Sequence, residues 1–246
     1  MKRLLTIEWL KLKRLSTLKV ILIVYAVVLP LIFFCLSLMP AYGTVYNEQI
    51  YQFPDVYHFV TYISSFFNLL VGVIIVVFTC NEIKYKTQRQ NLIDGLSKKE
   101  LVLSKFYVVA MLSVIITVYT FLIAVLFGFS NGSTDVFSGI RYIGFYQIAT
   151  FGYFIFAFFL ANLLKNPALS IVFYLLSTFL EGMTGLFAKE YSQFFPLSTF
   201  STLIPMPILP DGFEYAMTEM QRASLGLFYV FVLLYVSYYV LTKRDV

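Results

Sequence analysis

The sequence predicts an all-α integral membrane protein with six transmembrane helices. Hydrophobic residues make up 60% of the 246 and charged residues 13%, against roughly 45–50% and 25% in soluble domains. The mean hydropathy is +0.82. The uncharged runs are long enough, at about 1.5 Å per residue, to cross a hydrocarbon core of roughly 30 Å. The basic residues also segregate by side. An even number of spans puts both ends on one side, where 15 of the 18 Lys and Arg fall, leaving Arg141, Lys189 and Arg222 opposite. The positive-inside rule then places both termini in the cytoplasm of a cell that carries the chain in its inner, cytoplasmic membrane. Topology accounts for the net charge of +5 without nucleic acid.

The chain reads as one domain, 1–246. Residues 1–16 come first. At 100° per residue, Met1, Leu4, Leu5, Leu12 and Leu15 share a face with Trp9 at its edge, and Lys2, Arg3, Lys13 and Arg14 take the other. This is the pattern of a helix lying in the membrane interface, or else of a plain basic flank. Glu8 and Lys11 interrupt it. The first span is about 18–39, with Pro30 predicting a kink. It is too long for a signal-peptide core and no A-x-A site follows it. The second span is about 59–80, the third 106–129 and the fourth 142–164. The tight turn Lys165-Asn166-Pro167 then opens the fifth, about 167–188. Glu181, with Gly182 and Gly185 beside it, predicts a break or bend there. Residues 189–222 form the longest external segment, with four of the eight prolines. Its Phe194, Phe195, Ile204, Met206, Ile208 and Leu209 suit short helices or re-entrant turns. The last span is about 223–242. Cys35 and Cys80 lie in separate apolar runs and read as small buried hydrophobes. His58, the only histidine, reads as an interfacial loop residue.

No catalytic constellation is present: the chain has no G-x-S-x-G, H-E-x-x-H or phosphate-cradling loop. No span carries a central charge of the kind that ion-coupled carriers need. The energy for any transport therefore has to come from a partner, and this chain is expected to bind no cofactor or metal and not to be an enzyme.

The most informative segment is 81–105, NEIKYKTQRQNLIDGLSKKELVLSK. Gly95 reads as the stop of a short helix, and Ser97 with Glu100 as a capping box opening the next one. Leu92, Ile93 and Leu96 add an apolar edge among charges. The shape suits either docking on a soluble partner or a simple positive anchor.

This segment resembles ABC-2-type ABC transporter permeases. These carry E-x-x-x-G-T, then Leu-Leu, then P-x-S-R, then G-K at the start of the third span. Glu82, Thr87, Leu92, Ile93, Ser97, Lys98 and Lys105 fall at matching positions. Lys86 stands where a glycine is usual, Gly95 where a proline is, and Ser104 where the second glycine is. The N-terminal helix, the six spans, a broken fifth helix with an apolar external hairpin and the LTKRDV end extend the likeness over the whole chain. The resemblance implies the permease of an ATP-driven exporter. Two permease subunits, identical or paired, would sit on two copies of a cytosolic ABC ATPase that binds ATP and Mg. The stretch with Glu82, Lys84, Lys86, Thr87, Arg89, Gln90, Asp94, Ser97 and Lys98 would be its coupling helix and flanks. The pathway would lie between permeases. Candidate lining residues are Tyr25, Phe33, Phe34, Phe66, Phe67, Phe173, Tyr174, Phe179 and Glu181, and they suit an amphipathic or hydrophobic cargo such as a peptide, drug or lipid. The alternative is a non-transport scaffold or immunity protein that binds a partner within the bilayer.

Overall fold

A computed structural model describes residues 8–13, 15–37, 48–187, 189–205, 207 and 217–243, and among these there is no strand. The chain order is α1 (residues 8–13), α2 (Ser16–Ser37), a 3-10 turn (Glu48–Tyr51), α3 (Asp55–Lys84), α4 (Thr87–Ile93), α5 (Lys98–Ser130), α6 (Arg141–Leu164), α7 (Pro167–Phe187), α8 (Lys189–Ser192), α9 (Pro196–Thr202) and α10 (Glu219–Lys243). Five of these, α2, α3, α5, α6 and α10, are long and apolar enough to cross a membrane, and α7 adds a shorter apolar stretch, Pro167–Met183.

α3 and α5 are 30 and 33 residues long. Both run past the apolar stretches that mark their spans, so a helix continues where the sequence turns polar. Backbone hydrogen bonds within a helix need no apolar environment, and the polar side chains at these ends find ionic partners, described below. α2 carries Pro30 within its helical run. α7 continues through Glu181 to Phe187, so of the expected break or bend the break does not occur. The Glu181 carboxylate instead accepts from the backbone N–H of Ser198, 2.9 Å away. It thus meets one of the orphan N–H groups in the first turn of α9.

α6 is the hub of the bundle and packs on α3, α5, α7, α9 and α10. Its sequence suits that place because small and aromatic residues alternate along it. Ala149, Gly152, Ala157 and Ala161 let neighbours approach closely, while Tyr146, Phe154 and Phe158 fill the space between. A Cβ on Gly152 would overlap the Phe200 ring of α9, as one on Gly72 of α3 would overlap the Tyr174 hydroxyl and ring of α7. Buried polar pairs link the helices. Asn68 Nδ2 donates to Thr150 Oγ1 at 3.0 Å, and the Tyr146 hydroxyl donates to Asn68 Oδ1 at 3.2 Å. Gln147 Nε2 donates to Ser113 Oγ at 2.9 Å, and the Tyr25 and Thr120 hydroxyls lie 2.8 Å apart. In a membrane each such bond contributes on the order of 0.6 kcal/mol.

The stretch between α7 and α10 is partly helical. Leu197, Phe200, Leu203 and Ile204 are buried against the bundle, whereas Phe194 and Phe195 are exposed. Met206, Ile208 and Leu209 lie outside the described residues. Arg222 donates to the Thr202 carbonyl and the Tyr229 hydroxyl to that of Phe194. His58 is helical, not in a loop. It sits in the second turn of α3, stacked on Tyr142 with ring centroids 4.5 Å apart, and its Nε2 bonds the Pro205 carbonyl at 2.8 Å. Cys80 is buried as expected, but Cys35 is exposed on the outer face of α2. A lipid-facing position tolerates a small apolar side chain as readily as a core does.

One face gathers the ends of α3, α6 and α10 and the starts of α5 and α7. Lys98 Nζ donates to the Thr242 carbonyl at 3.3 Å, and Cys80 contacts both Ala161 and Ser170. We refer to it as the termini face.

Two glycines of α6 test the packing. Gly152→Ala is expected to lower thermal stability in detergent by about 1–3 kcal/mol through overpacking on Phe200. Gly144→Ala, at an exposed site with nothing within 4 Å, is expected to leave the melting temperature unchanged or slightly raised.

Candidate functional site

The polar connection between α3 and α5 forms as the local chemistry requires. α3 stops at Lys84, and Lys86 takes a left-handed backbone with φ 55°. That conformation costs a residue with a Cβ about 1–2 kcal/mol, and glycine far less. The glycine usual at this position in the resembling motif has its physical reason here. Thr87 Oγ1 donates back to the Glu82 carbonyl at 3.2 Å, bridging the break. α4 then ends in a Schellman motif. Gly95, at φ 96°, donates to the Leu92 carbonyl and Leu96 to that of Asn91. Ser97 and Glu100 make both bonds of the capping box, at 3.2 Å and 2.9 Å. The short helix, break and helix start expected from sequence are all present.

On the bundle side of this connection four charges close into a ring. Glu8 and Lys11 come from α1, Glu82 from the last turn of α3 and Lys105 from two turns into α5. Lys105 Nζ lies 2.5 Å from Glu8 Oε2 and 2.5 Å from Glu82 Oε2. Lys11 Nζ lies 3.2 Å from Glu8 Oε1 and 3.1 Å from Glu82 Oε1. Each carboxylate therefore meets both ammoniums, and each ammonium both carboxylates. Glu8, Glu82 and Lys105 are only 3%, 6% and 2% exposed, and the Lys105 ammonium also stands 4.7 Å over the Phe78 ring. Isolated, any one of these charges would lose several kcal/mol of hydration, so the ring holds only as a set. Burial works against the charge on Lys11, but Glu82 and then Glu8 outweigh it and hold its pKa above the usual 10.5. Its stabilising contribution is thus complete below 10.5 and is lost only as the pH rises through that higher value.

The two residues that interrupt the apolar face of α1 are thereby explained. Glu8 and Lys11 face the bundle and tie α1 to both helices flanking the connection. That mismatch, two opposite charges three residues apart on an otherwise apolar face, was the signal in the sequence for a partner inside the protein.

The other expected site residues are placed as follows. Lys84, Lys86, Arg89, Gln90, Asp94, Ser97 and Lys98 are exposed on the termini face, Thr87 is half-buried, and Gln90 Nε2 donates to Asp94 Oδ1 at 3.0 Å. Gln88, not singled out from sequence, is buried under α4, and Tyr85 and Ile93 project as exposed apolar tips. In α1, Trp9 is exposed with the Lys13 ammonium 5.7 Å over its ring. Lys2, Arg3 and Arg14 lie outside the described residues. Of the lining candidates, Tyr25, Phe33 and Tyr174 are buried within the chain. Phe67 is half-buried against Tyr25 at 5.2 Å, and Phe34, Phe66, Phe173 and Phe179 are exposed. Half-buried Glu181 is held by Ser198 as described.

The ring makes a quantitative claim. Lys105→Met strands two buried carboxylates and is expected to cost about 3–5 kcal/mol. Lys11→Met, at a partly exposed corner, is expected to cost less. The pair Glu82→Gln and Lys105→Met should be less damaging than the sum of the two changes, with a coupling of about 0.5–3 kcal/mol. Thermal unfolding of purified variants measures this, and strict additivity would rule out a coupled ring.

The family model for ABC-2 family transporter proteins matches residues 4–182. The match takes in α1, the ring and the α3–α5 connection. No curated protein matches the sequence. The matched stretch is well over half of the chain, and its long apolar helices are those of a multi-pass membrane protein. The chain belongs to the ABC-2 family of transporter proteins, as a membrane subunit of the permease type rather than an enzyme.

Proposed function

We propose that this chain is the permease subunit of an ATP-driven exporter and that α4 is its coupling helix. On this reading two permeases, identical or paired, stand on two copies of a cytosolic ABC ATPase, and ATP and Mg bind on the partner. α7 makes the sixth span, and both termini are cytoplasmic in the cell membrane.

The observation that supports this most is mechanical. α4 and the residue pair before it present exposed Tyr85, Arg89 and Ile93 to a soluble partner, while the ring directly above clamps α1, α3 and α5 together. A push on α4 reaches two long helices and the interfacial helix as one body, with no soft loop between. Rigid-body displacement of packed helices is how such switches work.

A hydrophobic or amphipathic cargo suits the exposed apolar faces. α2 offers Val20, Ile23, Val27, Leu31 and Phe34 along one stripe, and α7 offers Val172, Phe173, Leu176 and Phe179. In a dimer these faces and Phe66 would meet their counterparts across the pathway.

The full chain, co-expressed with a candidate ABC ATPase, should co-purify with it and change its ATPase rate. Arg89→Glu combined with Ile93→Asp should reduce capture at least tenfold and uncouple hydrolysis from export, leaving the melting temperature of the permease alone unchanged. Undiminished transport by that variant would overturn the assignment of α4. A chain that always purifies alone would favour the non-transport scaffold.

A further inference from the structure

A second feature of the termini face lies outside the ring. A cavity of about 220 Å³ opens between the α3–α4 break, the α6–α7 turn and the last turns of α10. Three of its lining residues are cations: Lys86, Arg89 and Lys165. Among the described residues no carboxylate pairs with any of them. Two come from different turns yet share an unusual backbone. Lys86 and Lys165, at φ 55° and 54°, are the only non-glycine residues with positive φ among those described. Glycine would take either position without steric cost. A lysine at both places two exposed basic residues in the lining of the same opening.

Asn162, which also lines the cavity, carries an orphan acceptor. Asn162 is 1% exposed, and its Nδ2 donates to the Phe158 carbonyl at 2.8 Å, leaving Oδ1 buried without a partner. A buried polar atom without a partner is costly and calls for a donor. The rest of the wall is the buried amide Gln88 and the apolar Ile83, Val240 and Leu241. Three cations ask for an anion, the orphan carbonyl for a hydroxyl, and the apolar wall at a helix-end level for hydrocarbon. Basic pockets between helix ends on the cytoplasmic side are suited to anionic lipid headgroups.

We propose that this cavity binds a phosphodiester headgroup bearing hydroxyls, supplied by an anionic phospholipid of the termini-side leaflet. The phosphate lies among Lys86, Arg89 and Lys165, a headgroup hydroxyl donates to Asn162 Oδ1, and the first acyl carbons rest on Val240 and Leu241. Occupancy would brace α4 against α10. The inference rests on the reading of this chain as a membrane subunit, not on the ATPase assignment, so its test uses the permease alone.

The test is native mass spectrometry of the full purified chain, titrated with phosphatidylglycerol, with phosphatidylcholine, or with inorganic phosphate. Wild-type chain is expected to retain phosphatidylglycerol at least tenfold better than phosphatidylcholine. Each of Lys86→Gln and Lys165→Gln should weaken that retention about fivefold, the value of one basic residue at an anionic surface. Asn162→Leu should weaken phosphatidylglycerol and leave phosphatidylcholine unchanged. Lys99→Gln, an exposed cation of the same face outside the cavity, should change nothing, and circular dichroism confirms that each variant is folded. Equal retention of the two lipids overturns the proposal, as does a Lys99→Gln effect equal to that of Lys165→Gln. Competition by inorganic phosphate at concentrations matching the lipid would make the site one for free phosphate and overturn the lipid assignment.

Discussion

Three buried charges and one half-buried charge at one end of a membrane bundle persist together because each touches two of opposite sign. The ring of Glu8, Lys11, Glu82 and Lys105 sets the arrangement of everything on the termini face. It holds α1 against the bundle although that helix is short and amphipathic. It lets α3 remain helical past its apolar stretch, because Glu82 need not seek water. It also fixes the start of α5 relative to the end of α3, so the thirteen residues between them are spanned by one short helix and two tight turns. With one corner removed, the remaining charges would favour water, and the three elements would lose their common anchor.

The bundle above the ring follows a different rule. Its helices are held by shape, with small residues on α6 opposite rings on α9 and small residues on α3 opposite rings on α7, and by a few hydroxyl and amide pairs. Without water in the bilayer, apolar area alone does not favour one helix pairing over another, so close packing and polar pairs decide. The two regions therefore differ in kind. The termini face is held by buried ion pairs. The bundle is held by many weak contacts.

Much of the local architecture was legible in the sequence. The capping box at Ser97, the glycine stop at Gly95 and the short helix before it follow from rules that involve only neighbours along the chain, and all are present. The long apolar helices were legible for the same reason, since hydrocarbon demands a closed backbone. Glu181 was misread because its partner, the N-terminus of α9, lies 17 residues on. Taken alone, a carboxylate beside a glycine in an apolar helix looks like a break. With Ser198 supplied, it is a bond to another helix. Cys35 was misread because composition distinguishes apolar from polar surroundings but not lipid from protein.

The sequence by itself determined that this chain is helical, that it belongs in a membrane, and which of its stretches turn or stop, because those outcomes depend on solvent and on residues within one or two turns. The tertiary structure alone decided which charges meet. Glu8 and Lys105 are 97 residues apart, and Lys11 and Glu82 are 71 apart. Coulomb attraction at about 3 Å in a dry environment dominates the local energy, yet it leaves no periodic trace in the sequence beyond two charges on the wrong face of a helix. The cationic cavity is the same case. Lys86, Arg89, Asn162 and Lys165 carry no shared motif, and only the folding of two distant segments onto one another brings them to a single opening.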